Sequence, residues 1–126
     1  MKLGRDNMQL VGLTVAAINM TEMVEFYNAV FDARLIATVH IGEEQFYAGA
    51  LCGMKLTFCP NSIAGVIAEQ NRQQLRFQVA DIGAVMAKGV ANHGNEINPI
   101  EEYKGAKVAS LADPDGNTIE FVEILS

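Results

Sequence analysis

Two similar β-α-β-β-β modules joined in one α+β fold are predicted for this 126-residue chain. Three observations predict it. The chain matches itself when slid by 62 to 63 residues. Strand-like alternation gives way to helical spacing at the same point of each copy. Turn residues then divide the remainder of each copy into short strands.

The first strand, Val11–Asn19, falls on Gln73–Asp81, and both copies alternate and end in a residue suited to begin a helix. Asn19 is followed by Glu22, a capping-box spacing, and then by Met23, Tyr27, Val30 and Phe31 on one helical face. Asp81 opens the corresponding stripe of Ile82, Val85, Met86, Gly89 and Val90. Two strands follow in each copy, 34–41 and 45–51 around Gly42-Glu43-Glu44, and 97–103 and 107–112 around Lys104-Gly105. Gly53–Phe58 then falls on Gly116–Phe121 as the closing strand. One domain over 1–126 results, with module one at about 9–59, a linker at about 60–73 and module two at about 74–124. A short helical turn is expected at 63–70.

Half of the residues are hydrophobic and 19% are charged, which excludes a disordered tail. The net charge of −6 argues against a nucleic-acid partner, which demands the opposite sign. No run reaches the ~18 apolar residues of a spanning helix. Lys2 and Arg5 are followed by Asp6, Asn7 and Gln9 without a convincing cleavage site, so a cytoplasmic protein without membrane contact is expected. Cys52 and Cys59 have no metal-finger spacing. If both lie near one strand they stand too far apart to bond, so two reduced thiols are expected.

Glu25-Phe26-Tyr27 with Val30-Phe31, Phe77–Asp81, and above all Asp113-Pro114-Asp115-Gly116-Asn117-Thr118-Ile119-Glu120-Phe121 resemble the vicinal oxygen chelate superfamily. That group includes glyoxalases, extradiol dioxygenases, and bleomycin- and fosfomycin-resistance proteins. The resemblance spans roughly residues 9–124. It implies a curved mixed sheet around a cavity, helices on the outer face, and a homodimer. The Asp-Pro-Asp-Gly-Asn segment is also a tight turn on its own chemistry, with Pro presetting φ and Gly accepting a positive value.

Alternation puts Val11, Leu13, Val15, Ala17, Leu56, Phe58, Leu75, Phe77, Val79, Ile119 and Phe121 against the helices. On the other face lie Gly12, Thr14, Thr57, Gln74, Arg76, Gln78, Glu120 and Val122, which in the resembled fold line the cavity. The resemblance also implies metal ligands on the first, fourth, fifth and eighth strands. Those positions hold Gly12 (or Leu10), Thr57, Gln74 and Glu120. Gln74 and Glu120 are the only metal candidates among them, and two oxygen donors fall short of a catalytic set. No cofactor is therefore expected, the alternative being one divalent metal ion.

The candidate ligand-binding residues are Thr57, Gln74, Arg76, Gln78, Glu120, His40 and Tyr103. Arg76 offers a donor fork for a carboxylate or phosphate, or else pairs with Glu120. Glu120 reads as a cavity carboxylate, a metal ligand or a solvated strand residue. His40 is a base, a recruited ligand or simply solvated, and Tyr103 stacks on a flat ligand or serves as a strand former. His93 reads as a helix-end dipole partner. Glu43-Glu44 and Glu101-Glu102 point to opposite faces and form no dyad. The expected function is small-molecule binding of the glyoxalase/bleomycin-resistance kind without metal. Its alternatives are a metal-dependent lyase, isomerase or dioxygenase of glyoxalase type, with Gln74, Glu120 and His40 as ligands, and a structural module acting through a partner.

Overall fold

A computed structural model describes residues 9–68 and 73–126. Module one runs β1 (Gly12–Ala17), α1 (Met20–Phe31), β2 (Ile36–Ile41), β3 (Glu44–Leu51) and β4 (Met54–Pro60), followed by a one-turn helix α2 (Asn61–Ala64). Module two repeats the pattern as β5 (Leu75–Gln78), α3 (Ile82–Ala91), β6 (Asn95–Tyr103), β7 (Ala106–Ala112) and β8 (Thr118–Ile124). The α+β fold and both β-α-β-β-β modules are as the repeat predicts. The strands divide into two four-stranded sheets, ordered β1-β4-β3-β2 and β5-β8-β7-β6. In each, the first strand joins the last in parallel and the other pairs are antiparallel. The helical turn expected at 63–70 begins earlier, at Asn61; residues 69 and 70, like Lys2, Arg5, Asp6 and Asn7, lie outside the described residues.

Helix α1 ties the sheets together. Tyr27 meets Phe58 of the first sheet edge-on at 5.2 Å between ring centroids. One turn on, Phe31 lies 4.7 Å from Phe77 and 6.2 Å from Phe121 of the second sheet. Phe26, which the sequence stripe omits, is fully buried in the same cluster with Met23, Leu56, Leu111 and Ile119. Burial of such side chains contributes roughly 1.5–3 kcal/mol each. Helix α3 buries Ile82, Met86 and Gly89, while Val90 is exposed at the margin of its stripe.

The helix starts differ. Asp81 caps α3 as expected, accepting from the Ala84 amide at 3.1 Å. Asn19 makes no side-chain cap on α1. Its amide group and backbone N–H instead both donate to Asp115 Oδ1, at 3.0 and 2.8 Å, and Ile18 N–H donates to Asp115 Oδ2 at 2.7 Å. A carboxylate from module two thus occupies the place of the expected capping box, at the positive end of the helix. Glu22, freed from that box, approaches His93 Nδ1 at 3.7 Å, and Glu25 meets His93 Nε2 at 2.9 Å. His93 therefore bridges the module-two helix end to α1 rather than acting on its own helix alone.

Two glycines are set by geometry. Gly116 holds φ +90° in the Asp113–Asn117 turn, where its N–H donates to Asp113 O at 2.9 Å. Gly49 lies against the chain entering β2, and a Cβ there would collide with the Ala33 carbonyl. That carbonyl accepts from Ala50 N–H at 2.8 Å, fixing the entry. Cys52 and Cys59 are both free thiols, one exposed and one buried.

Candidate functional site

The parallel β5–β8 register places Arg76 beside Glu120 and Gln78 beside Val122. Glu120 in turn faces Ser110 on β7, which faces Asn98 on β6. An Arg76–Glu120–Ser110–Asn98 row therefore crosses the open face of the second sheet, with Asn98 Nδ2 donating to Ser110 Oγ at 2.8 Å. An open depression of about 450 Å³ lies over this face, lined by Gln74, Asn98, Glu101, Ser110, Thr118 and Glu120 among others. Arg76 and Glu120 are exposed register neighbours with no ion pair between them. The alternative of an intramolecular Arg76–Glu120 pair is not formed.

Module one carries uncharged residues in the equivalent row: Thr14–Thr57–Ala48–Ile36. Thr57 is thus separated from the Gln74–Glu120 group and lies on the other sheet. His40 sits on the exposed strand β2, its Nδ1 3.4 Å from the Gly42 carbonyl. Tyr103 ends β6, exposed, with Lys104 Nζ 5.2 Å from its ring centre. The register puts Arg76, Gln78 and Glu120 on one face of the second sheet, but of the sequence-predicted residues Gln74 and Glu120 line the depression, while Arg76, Gln78, Thr57, His40 and Tyr103 do not.

Sequence reasoning missed Ser110, Asn98 and Glu101. Ser110 had only a partial signal, the alternation face it shares with Val108; its register with Glu120 comes from the structure. Among the described residues, no group of three or more His, Cys, Asp or Glu is placed to hold a metal. Gly12 and Thr57 contribute no effective ligand, so the residues present do not fit the metal set that the resemblance implies.

A buried polar pair was missed entirely. Tyr27 Oη donates to Asp113 Oδ2 at 2.7 Å, joining α1 to the turn before β8. Asp113 Oδ1 accepts from the backbone of Asp115 and Asn117 at 3.0 and 2.9 Å, and Asn117 Nδ2 reaches both oxygens. Burial raises the Asp113 pKa, opposed by its hydrogen bonds from Asn117, Tyr27 and Asp115. Tyr27 is held well above its ordinary value by burial first and by the Asp113 charge second. The pair is a structural clasp between the modules.

Solved structures share this architecture. A glyoxalase/bleomycin resistance protein/dioxygenase family enzyme from Burkholderia phytofirmans PsJN aligns with TM-score 0.73 at 16% identity, covering 92% of this chain and 98% of its own. A glyoxalase-related enzyme from Fulvimarina pelagi gives 0.71 at 18%, covering 91% and 87%. A variant of the fosfomycin resistance protein FosX from Listeria monocytogenes, complexed with Mn(II) and 1S,2S-dihydroxypropylphosphonic acid, gives 0.72 at 14%, covering 89% of each chain. At these identities the likeness defines the class of fold, paired β-α-β-β-β modules. Residues 9–121 match the Glyoxalase/Bleomycin resistance protein/Dioxygenase superfamily, and the chain belongs to that family. No curated protein matches it.

Proposed function

We propose that the chain is a cytoplasmic small-molecule-binding protein of the glyoxalase/bleomycin-resistance kind, working without a resident metal. Its ligand lies on the open face of the second sheet and carries both an anionic and a donor group. The observation that carries this reading is the adjacency of Arg76 and Glu120 without an ion pair, beside a depression with polar walls. Gln74, Gln78 and Ser110 supply orienting hydrogen bonds. Among the described residues, no helix is long and apolar enough to cross a membrane.

The proposal includes a homodimer. Strands β2 and β6 are exposed along their whole length, with Ile36, Val39, Ile41, Ile97 and Ile100 among them. A second copy covering these strands supports closure of the open face.

The competing reading is a metal-dependent lyase or isomerase. It draws on Gln74 and Glu120 sharing one depression and on the Mn(II) complex of FosX. Elemental analysis of tag-free protein separates the two. Less than about a tenth of an equivalent of divalent metal is expected; one equivalent, lost in Glu120→Ala, would favour the enzyme. A thermal-shift screen of charged metabolites and antibiotics against wild type and Arg76→Ala tests the site. Hits that keep their affinity in Arg76→Ala would remove it.

A further inference from the structure

Ser110 is the one buried member of the Arg76–Glu120–Ser110–Asn98 row. It is 4% exposed, flanked across the ladder by the longer, exposed side chains of Glu120 and Asn98. It nevertheless lines the depression on the second sheet, so its hydroxyl belongs to the floor of that space.

Asn98 decides what the hydroxyl offers. Its Nδ2 donates to Ser110 Oγ at 2.8 Å, and a hydroxyl that accepts on one side keeps its own proton for another partner. Among the described residues, no acceptor takes that proton, and Glu120 on the neighbouring strand receives no hydrogen bond. The backbone places Asn98 for this task. The β6–β7 ladder shifts register on both sides of it, between Glu96 and Asn98 and again between Asn98 and Glu101, and Pro99 beside it has no N–H to give. Such irregularities re-aim a side chain, and this one reaches across to Ser110.

Two neighbours on one row therefore make opposite demands. The Glu120 carboxylate only accepts, and the Ser110 proton must be given away. An ammonium group suits Glu120, and also Glu101 in the same depression, but sets donors against the Ser110 proton. A carboxylate suits Ser110 but stands beside Glu120 with like charge. A neutral group that both donates and accepts satisfies the two together. A primary amide does so with N–H to Glu120 and C=O to Ser110, and a hydroxyl does so through one oxygen.

We propose that Ser110, held as a donor by Asn98, is a specificity-determining residue of the second-sheet site, and that the donor group of the ligand is a neutral amide or hydroxyl. This rests on the ligand site proposed above and names the group that the site reads. Strand spacing sets the length of the ligand. The midpoint between Glu120 and Ser110 lies about one and a half strand spacings, roughly 7 Å, from Arg76. A four-carbon acid whose carboxylate meets Arg76 brings its far end there.

Four acids of one length test it: succinamate, 4-hydroxybutyrate, 4-aminobutyrate and succinate, ending in amide, hydroxyl, ammonium and carboxylate. Calorimetric titration of the full chain should show succinamate or 4-hydroxybutyrate binding at least about fivefold tighter than either acid with a charged far end. Which of the two leads separates an amide from an alcohol. Ser110→Ala should abolish the preference, and Ser110→Thr, which keeps a hydroxyl, should retain it. Asn98→Asp should abolish it as well, because a carboxylate there takes the Ser110 proton. Circular dichroism verifies the fold of each variant. Tightest binding of 4-aminobutyrate or succinate, binding of none of the four, or a preference unchanged in Ser110→Ala would overturn the proposal. Arg76→Ala separates this from failure of the site itself. A neutral-end preference with no Arg76 effect removes Arg76 and keeps Ser110, whereas weakening in Arg76→Ala without any preference keeps the site and removes the proposal.

Discussion

Removing one hydroxyl tests how the modules are held. In Tyr27→Phe the ring still packs against Phe58 and Phe26, but Asp113 Oδ2 loses its 2.7 Å donor and keeps only Asn117 Nδ2 at 2.9 Å. Asp113 is 1% exposed, so water does not replace the lost donor. A hydrogen bond to a charged group contributes about 1.5–3 kcal/mol, so a loss of about 2 kcal/mol is expected. For a domain of this size that lowers Tm by roughly 6–12 °C. Urea unfolding at pH 7 and calorimetry measure it. The alkaline limb provides a second readout. Tyr27 has a folded pKa above its unfolded value, so its stabilisation is full below about pH 10 and is lost as pH rises through the folded value. The wild type should show this loss, and Tyr27→Phe should lack that component. Asp113, raised by burial, has the same sign: its contribution is full below its unfolded pKa and declines as pH rises. A stability change below about 0.5 kcal/mol, or identical alkaline limbs, would refute the clasp.

Gly49→Ala should cost about 2–4 kcal/mol in urea unfolding, because its Cβ would collide with the Ala33 carbonyl, backbone that cannot swing aside. Gly116→Val should cost roughly 1–3 kcal/mol, since a β-branched residue resists the φ of +90°; an unchanged Tm would show that the turn tolerates another geometry. His93→Ala should cost less than about 1 kcal/mol, as His93, Glu22 and Glu25 are all about half-exposed, and a larger loss would reveal a network stronger than its geometry indicates.

The fold was legible because it is written twice. Each alternating strand and helical stripe has a counterpart about sixty residues on, and the aromatic spacing of α1 identifies most of its buried face. What stayed hidden depends on contacts distant in sequence. Asn19 looks like a cap, yet Asp115, 96 residues away, takes its backbone and side-chain donors. Tyr27 and Asp113 read separately as a core aromatic and a turn acid, and only the packing of α1 brings them together. For the site, alternation finds the face but not the register. It placed Glu120 outward but could not pair it with Ser110, nor assign Thr57 to a different sheet from Gln74.

The repeat also shows which module carries the charged row. Equivalent backbone positions carry Thr14–Thr57–Ala48–Ile36 in one module and Arg76–Glu120–Ser110–Asn98 in the other. Both rows are held by the same ladder of backbone hydrogen bonds, so the scaffold does not require the polar set. Arg76 and Glu120 satisfy no core contact and form no mutual ion pair, while threonine and alanine serve the same strands in module one. The asymmetry therefore separates what the fold requires from what it merely carries. Residues common to both modules hold the sheets, and residues peculiar to module two give its open face charge. Threonine at position 76 or 120 should be tolerated by the fold, as it is at positions 14 and 57, and should act on ligand binding.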